Sequence, residues 1–371
     1  MIRILHSVSN MDRGGIETML MNFYRNIDRS KVQFDFLANK PQPGDYDEEI
    51  RELGGRIFVT PGFMSYKKYV EYMTDLFKQH PEYKIIHTHN GSLMLYALKS
   101  AKKNGIPIRI AHAHATAVPV GIKNQIKKLI RPMIKYTATD YWGCSEAAGK
   151  FYFSEKRWNK NHQLIHNAIN VEDFVFNSSK RDELRSQYGL DGKFVIGHVG
   201  RLAPQKNQKK LLEVFSEVLK ANKNAHLVII GTGELETKLK EYSKELGIEN
   251  SVTFTGVLSN VNEWYSVFDV FVMTSLYEGL PVVAVEAQAV DLPCVLCDTI
   301  TPEVKITENV KFAGLDDSAE HWAKIILGFK PGERVSRVDE LRKSGYDIKT
   351  EAERMQNLYL DLYKNWEEKQ L

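Results

Sequence analysis

Tyr277-Glu278-Gly279-Leu280-Pro281-Val282-Val283-Ala284-Val285-Glu286-Ala287-Gln288-Ala289 follows closely on the apolar run 270–274. A short β-branched run, a turn holding Gly and Pro, and then eight residues of helical composition read as strand, turn and helix. Units of this kind in series call for a parallel sheet. Outward from this stretch the same alternation recurs along the second half, with strand candidates at 194–199, 226–230, 252–255, 270–274, 294–297 and 311–312. It recurs again in the first half, at 2–8, 32–37, 56–60, 84–89, 108–114, 141–144 and 163–166, with helix-period segments such as 16–27 and 93–103 between them. The expected fold is therefore α/β, with two doubly wound, Rossmann-like domains. Their boundaries fall at 1–170 and 193–348, with a polar linker at 171–192 that runs into a short helix. A last helical segment at 349–371 has one apolar face that must dock somewhere.

The length agrees, since 371 residues make about two domains at roughly 150 residues each. Fifty Lys and Arg against 47 Asp and Glu leave a net charge of +3 with no basic tail, so nucleic acid is not an expected partner. Three Cys are too few for a disulfide framework in a chain of this length and suit a reducing, cytoplasmic setting. The first eight residues read as a strand rather than a secretory signal. No run of about 18 apolar residues escapes interruption by a charge or a breaker, so no membrane span is expected.

Ligands of open parallel sheets bind outside the carboxyl ends of the strands, so chemistry is sought in the loops there. At the start of the helix beginning near Val282, backbone amides and the helix dipole favour an anion such as a phosphate. Glu278 and Glu286, eight residues apart, are placed to accept hydrogen bonds from several hydroxyls of one ligand. A polyol carrying a phosphate, such as a nucleotide sugar, meets both conditions. A capping Glu278 and a solvated helical Glu286 satisfy the spacing equally well.

Other loops carry related signals. Arg201 and Lys206, five apart after the strand at 194–199, can converge on two phosphoryl groups, or can form a plain basic loop in water. Gly14 and Gly15, after the first strand, permit a close backbone approach or simply an ordinary turn. Gly231-Thr232-Gly233 begins a dinucleotide fingerprint, but Glu236 stands where its third Gly belongs, which weakens any NAD reading. His87/His89 and His112/His114 form two H-x-H pairs at strand ends. Four imidazoles there suggest a metal-dependent hydrolase as the competing function, or else local polar contacts.

Asp45-Tyr46-Asp47 matches a metal-binding D-x-D, but the turn around it makes Asp45 the expected cap of a short helix. Cys294 and Cys297 are a lone C-x-x-C on a strand, facing opposite sides, so no zinc or redox role is expected. Residues 116–139 contain no acid but hold Lys123, Lys127, Lys128, Arg131 and Lys135, with Ile122, Ile126, Leu129, Ile130, Met133 and Ile134 at helical spacing. That pattern suits a basic amphipathic helix, either resting on an anionic membrane surface or packed on the core.

The stretch quoted first resembles the E-x7-E motif of the retaining glycosyltransferases of family 4, in its E-G-L-P form. Gly14-Gly15-Ile16-Glu17 is similar to that family's Gly-rich loop, and Gly200-Arg201-Leu202 with Lys206-Asn207 to its phosphate clamp. His166-Asn167-Ala168-Ile169-Asn170 is similar to its linker entry, with Ala168 in place of the usual Gly. The resemblance spans about 340 residues in the right order. It implies a GT-B fold with two domains facing a cleft and a C-terminal helix crossing back to the first. It implies transfer of a hexose-type sugar from a nucleoside diphosphate, UDP being expected, to a hydroxyl of a saccharide or lipid-linked acceptor. Retention and independence of metal or other cofactor are implied too, and so is cell-envelope glycan synthesis at the inner face of the membrane. An inactive sugar-nucleotide-binding subunit is a further alternative. By the same resemblance Arg201 and Lys206 bind the pyrophosphate, Glu286 the ribose, and Glu278 the transferred sugar, with main-chain groups of Gly279, Leu280, Pro281 and Val282. Groups around Val257 read the base. Gly14, Gly15 and His114 come from the first domain to the donor, with His89 and His112 as acceptor-side candidates.

Overall fold

Among the described residues thirteen short, mostly apolar runs become strands, and helices cover both faces of the two sheets they form. The structure is a computed structural model that describes residues 1–61, 65–115, 131–160, 162–329 and 332–371. The chain divides into two units, Met1–Ala168 with Asp347–Leu371, and Ile169–Tyr346.

In the first unit the strands are β1 (Ile2–Val8), β2 (Val32–Ala38), β3 (Ile57–Val59), β4 (Ile85–Thr88), β5 (Ile108–Ala113), β6 (Asp140–Gly143) and β7 (Gln163–Leu164). They pair in parallel in the order β3-β2-β1-β4-β5-β6-β7. Alternation along each strand feeds two cores. Ile4, Phe34, Ile85, Ile110 and Trp142 face one side, where they meet the helix Gly15–Asn26. Leu5, Leu37 and Ile86 face the other, under the helices Tyr66–Gln79 and Met94–Lys103. Because both faces are covered, the strands read as nearly continuous apolar runs. The C-terminal helix Ile348–Glu367 belongs to this unit: Ile348, Ala352, Met355 and Tyr359, spaced four, three and four apart, enter the first of these cores. Tyr359 stacks on Trp142 at 5.2 Å between ring centroids, and the Gln356 side chain accepts from Asp28 N at 2.7 Å.

In the second unit the strands are β8 (Phe194–Val199), β9 (Ala225–Ile230), β10 (Val252–Gly256), β11 (Val270–Met273), β12 (Cys294–Cys297) and β13 (Val310–Ala313), in the order β10-β9-β8-β11-β12-β13. Both sheets therefore reverse direction beside their first strand, between β1 and β4 and between β8 and β11. That switch point opens a crevice at the strands' carboxyl ends. Cys294 and Cys297 lie in different cores, on opposite faces of β12, and both thiols are buried and free. Residues 171–192 include the helix Ser178–Gln187. The Asn177 side chain caps it, and Arg181 and Arg185 tie it to Asp269 at 2.5 and 2.7 Å.

One local expectation is corrected. Asp45 does not cap the helix Asp47–Glu52; Tyr46 holds that position, and the Asp45 carboxylate accepts from Arg13 N at 3.0 Å. The loop holding Arg13 draws the side chain away from the helix.

Most of the basic 116–139 stretch, including Lys123, Lys127 and Lys128, lies outside the described residues. Its end, Arg131–Tyr136, is a short 3-10 helix with Ile134 buried, Met133 and Tyr136 exposed, and Arg131 over the Phe151 ring at 4.3 Å. Among the described residues no helix is long and apolar enough to cross a membrane.

Candidate active site

In the second unit three loops are laced together beyond β8, β9 and β10. Gly200 N bonds Ile230 O at 3.0 Å, Leu202 N bonds Thr232 O at 2.9 Å, and Gly231 N bonds Gly256 O at 2.9 Å. Gly231 makes this approach possible: its φ is +132°, and a Cβ there would lie 2.2 Å from Gly200 O. The β8 loop then turns through Pro204–Lys206 to Asn207, in the left-handed region at φ +51°, where the helix Gln208–Ala221 begins. The Thr274 hydroxyl, just past β11, donates to Asn207 O at 2.9 Å, and Gln205 Nε2 donates to Tyr277 O at 3.0 Å. Two loops far apart in sequence are thereby fixed against each other.

Their meeting places Lys206 Nζ 2.7 Å from Glu278 Oε1, with the Glu278 side chain 9% exposed and that of Lys206 19%. This is the length of a charge-assisted hydrogen bond, held in a partly dry place where its field is little screened. Arg201 stays exposed, and its charge acts on the Tyr277 phenol beside Glu278. Beneath the loop, buried His198 bonds Val272 O at 2.9 Å and Gln208, whose Nε2 donates to Arg201 O at 2.9 Å. Burial holds His198 down to about 4, so it supports the loop as a neutral ring.

The helix Val282–Ala289 starts at Pro281, which has no N–H to offer a ligand, so any amide cradle here falls to its neighbours. Glu286 lies on this helix and accepts from the Tyr265 hydroxyl at 2.5 Å. Burial pushes its carboxyl up to about 7, partly opposed by that hydrogen bond. Gly279, Leu280 and Pro281 are buried, and Val257 is 61% exposed.

At the switch point of the first unit lie five imidazoles. His6 on β1 is in register with His87 on β4, and His89, His112 and His114 surround them. Two hydrogen-bonded chains result. In one, Tyr359 OH meets His87 Nδ1 at 2.6 Å and His87 Nε2 meets His112 Nδ1 at 3.1 Å. In the other, His6 Nδ1 meets His89 Nε2 at 3.1 Å and His89 Nδ1 meets His114 Nε2 at 2.9 Å. Desolvation lowers all five, His6 and His114 to about 3. The sets His6/His87/His89 and His89/His112/His114 bring nitrogens within 4.8 Å of one another, close enough to gather around a metal. Every ring, however, already spends at least one nitrogen on a neighbour at N–H···N distance, which leaves few lone pairs to converge on an ion. Gly14 caps the helix Gly15–Asn26 from this unit's first loop, and burial pushes the nearby Glu17 carboxyl up to about 7.

Two family models match the chain, "Glycosyltransferase Family 4" over residues 13–173 and "Glycosyl transferases group 1" over 180–340. EpsF of Bacillus subtilis, named as a glycosyltransferase, is 35% identical over 368 residues, covering 96% of each chain. The chain belongs to the GT-B glycosyltransferases. An Escherichia coli UDP-Gal:α-D-GlcNAc-diphosphoundecaprenol α-1,3-galactosyltransferase is 26% identical to this glycosyltransferase over 310 residues, covering 80% of this chain and 79% of that one. The fold matches Anabaena HepE, crystallised with UDP and glucose, at a TM-score of 0.74 and 18% identity over 96% of this chain and 95% of that one. Membership in this family displaces the metal-dependent hydrolase as a reading of the histidines.

Of the residues singled out in this glycosyltransferase's sequence, the second unit brings Lys206 and Glu278 into contact and puts Arg201 beside Tyr277. Glu286 is bound instead to Tyr265. The first unit brings His89, His112 and His114 together. Tyr265, Gln205, Thr274, His6 and Tyr359 stand in no motif that marks them in the sequence. His6 is a lone strand histidine whose role depends on register with β4, and Tyr359 reaches the cluster from 272 residues after His87.

Proposed function

We propose that this glycosyltransferase moves a hexose-type sugar from UDP to a hydroxyl of a saccharide or lipid-linked saccharide, with retained anomeric configuration and without a metal, in polysaccharide synthesis. The observation that carries this reading is the Lys206–Glu278 pair, a cation and a hydroxyl acceptor joined at the switch point of the second unit. Lys206 and Arg201 take the pyrophosphate. As the glycosidic bond breaks, negative charge grows on the departing phosphate, and fixed cations stabilise it most at that moment. Glu278, released by Lys206 toward the ligand, accepts from hydroxyls of the transferred sugar. Glu286 accepts from the ribose, and main-chain groups near Val257 meet the base.

Front-face attack, with the leaving phosphate taking the acceptor's proton, needs no enzymatic nucleophile. UDP as donor is supported by HepE's complex with UDP and glucose and by the galactosyltransferase's name, which also carries a diphosphoundecaprenol-linked acceptor. Thermal shift with a panel of nucleotide sugars tests the donor, because a ligand bound only by the native state raises Tm. UDP and one or more UDP-sugars should raise it in the wild type and far less in Lys206→Ala. A response confined to other nucleotides would overturn the assignment.

A further inference from the structure

The chain His6–His89–His114 runs from the interior of the first unit to its surface. His6 is fully buried, with its ring centroid 4.2 Å from that of Phe34, and its Nε2 has no partner. His89 is 2% exposed and uses both nitrogens within the chain. His114 is partly exposed and gives Nε2 to His89, while its Nδ1 has no hydrogen bond among the described residues. A neutral imidazole has one N–H and one lone pair, so three rings joined by two such bonds have only two arrangements, with every proton pointing inward or every proton pointing outward. The inward arrangement strands an N–H at His6 among aromatic rings. The outward one strands only a lone pair, and buried orphan donors are the rarer of the two. The second chain, Tyr359–His87–His112, lies against the first with centroids of 4.3 Å for His87 and His89 and 4.0 Å for His112 and His114, which fixes the ring planes.

We propose that His6 and His89 are positioning residues for His114, holding it in a single tautomer with Nε2 bare and Nδ1–H left to donate to a substrate oxygen. Nδ1 then has no lone pair available for a proton, so His114 orients a hydroxyl oxygen of the transferred hexose and does not remove a proton. This rests on the transfer reaction proposed above and adds to it: the imidazole chain makes His114 a donor and denies it the role of a base.

The test is 15N NMR of the full-length protein labelled at histidine, where the two ring nitrogens report which one carries the proton. His114 should show one tautomer, protonated at Nδ1, and stay neutral from pH 6 to 8. His6→Leu should turn this into a mixture and lower kcat about tenfold, which corresponds to the loss of one well-aimed hydrogen bond in the transition state. Its affinity for UDP, which lacks the transferred hexose, should stay the same. His6→Asn restores a polar partner for His89 and should recover most of the rate. Protonation of His114 at Nε2, an imidazolium at neutral pH, a tautomer unmoved by His6→Leu, or a stoichiometric metal ion in the purified protein would each overturn the proposal. If His6→Leu does not fold, the wild-type tautomer and the His6→Asn rate still decide. If the protein transfers no sugar at all, the function fails, while the tautomer measurement stands on its own.

Discussion

At the switch point of the first sheet sit five imidazoles joined to one another in a dry interior, and at the switch point of the second sit a lysine, an arginine and two carboxylates nearer the solvent. The topology around both is the same, with the order reversing beside β1 and beside β8. In the second unit opposite charges meet, Lys206 on Glu278, and such groups complement an ionic ligand. In the first unit burial keeps every ring uncharged, and what remains is direction: which nitrogen donates and which accepts. One fold thus supports charge complementarity at one end of the chain and hydrogen-bond orientation at the other.

Removing charge from the second unit should have the largest effect. Lys206→Ala is expected to lower transfer by about 10²–10³-fold, the usual scale for losing one fixed donor to developing negative charge, with melting of the protein little changed. Near-normal turnover would show that the paired charges are structural. Glu286→Ala should cost about 10–100-fold, seen mainly as weaker UDP binding, which corresponds to about 1.5–3 kcal/mol for hydrogen bonds to a charged group. Calorimetric titration with UDP separates this from a loss of kcat.

The first unit should respond in stability instead. Tyr359→Phe leaves buried His87 Nδ1 without a partner and should destabilise by about 1–3 kcal/mol, read by chemical denaturation, with UDP affinity unchanged. A fall in UDP affinity would show that the imidazole cluster serves nucleotide binding as well as stability. Acid should act in the same direction. The five histidines bind protons more weakly in the folded state than the usual 6.5 allows, so the unfolded chain takes up protons first. Stability is then full above about pH 6.5 and falls as the pH drops toward 3. His198 and His226 add a smaller effect of the same sign in the second unit.

The titration of Glu286 should give the smallest and most specific signal. Its carboxyl is raised to about 7 by burial, and a ribose needs the carboxylate, so UDP should bind more tightly as the pH rises from 6 to 8. Glu286→Gln should lose that increment and keep only the titration of UDP itself. For folding the sign is the opposite: the raised carboxyl favours the folded state below its unfolded value, and this contribution is lost as pH rises toward 7.

The strands and their order of types were legible because both faces of each sheet are covered, so apolar β-branched runs stand out against amphipathic helices. From its residue pattern alone the docking of 349–371 was legible as an apolar face in need of a partner, and its return to the first domain came from the family resemblance. That it enters the first unit's core through Met355 and Tyr359 depends on a contact spanning most of the chain. Arg201, Lys206, Glu278 and Glu286 could be picked out because loop and helix-start positions carry recognisable residue types. Their partners could not: Tyr265 resembles any buried tyrosine, and His6 gains meaning only when β1 pairs with β4. Asp45 shows the opposite failure, where a local capping pattern was overruled by a loop from a distant part of the chain.

The most direct measurement is the anomeric configuration of the product, read by the 1H coupling of its new anomeric proton, when the protein is given an α-linked UDP-sugar and an acceptor in excess chelator. An α-linked product should form at an undiminished rate. A β-linked product, or transfer that appears only when a divalent metal is restored, would contradict it.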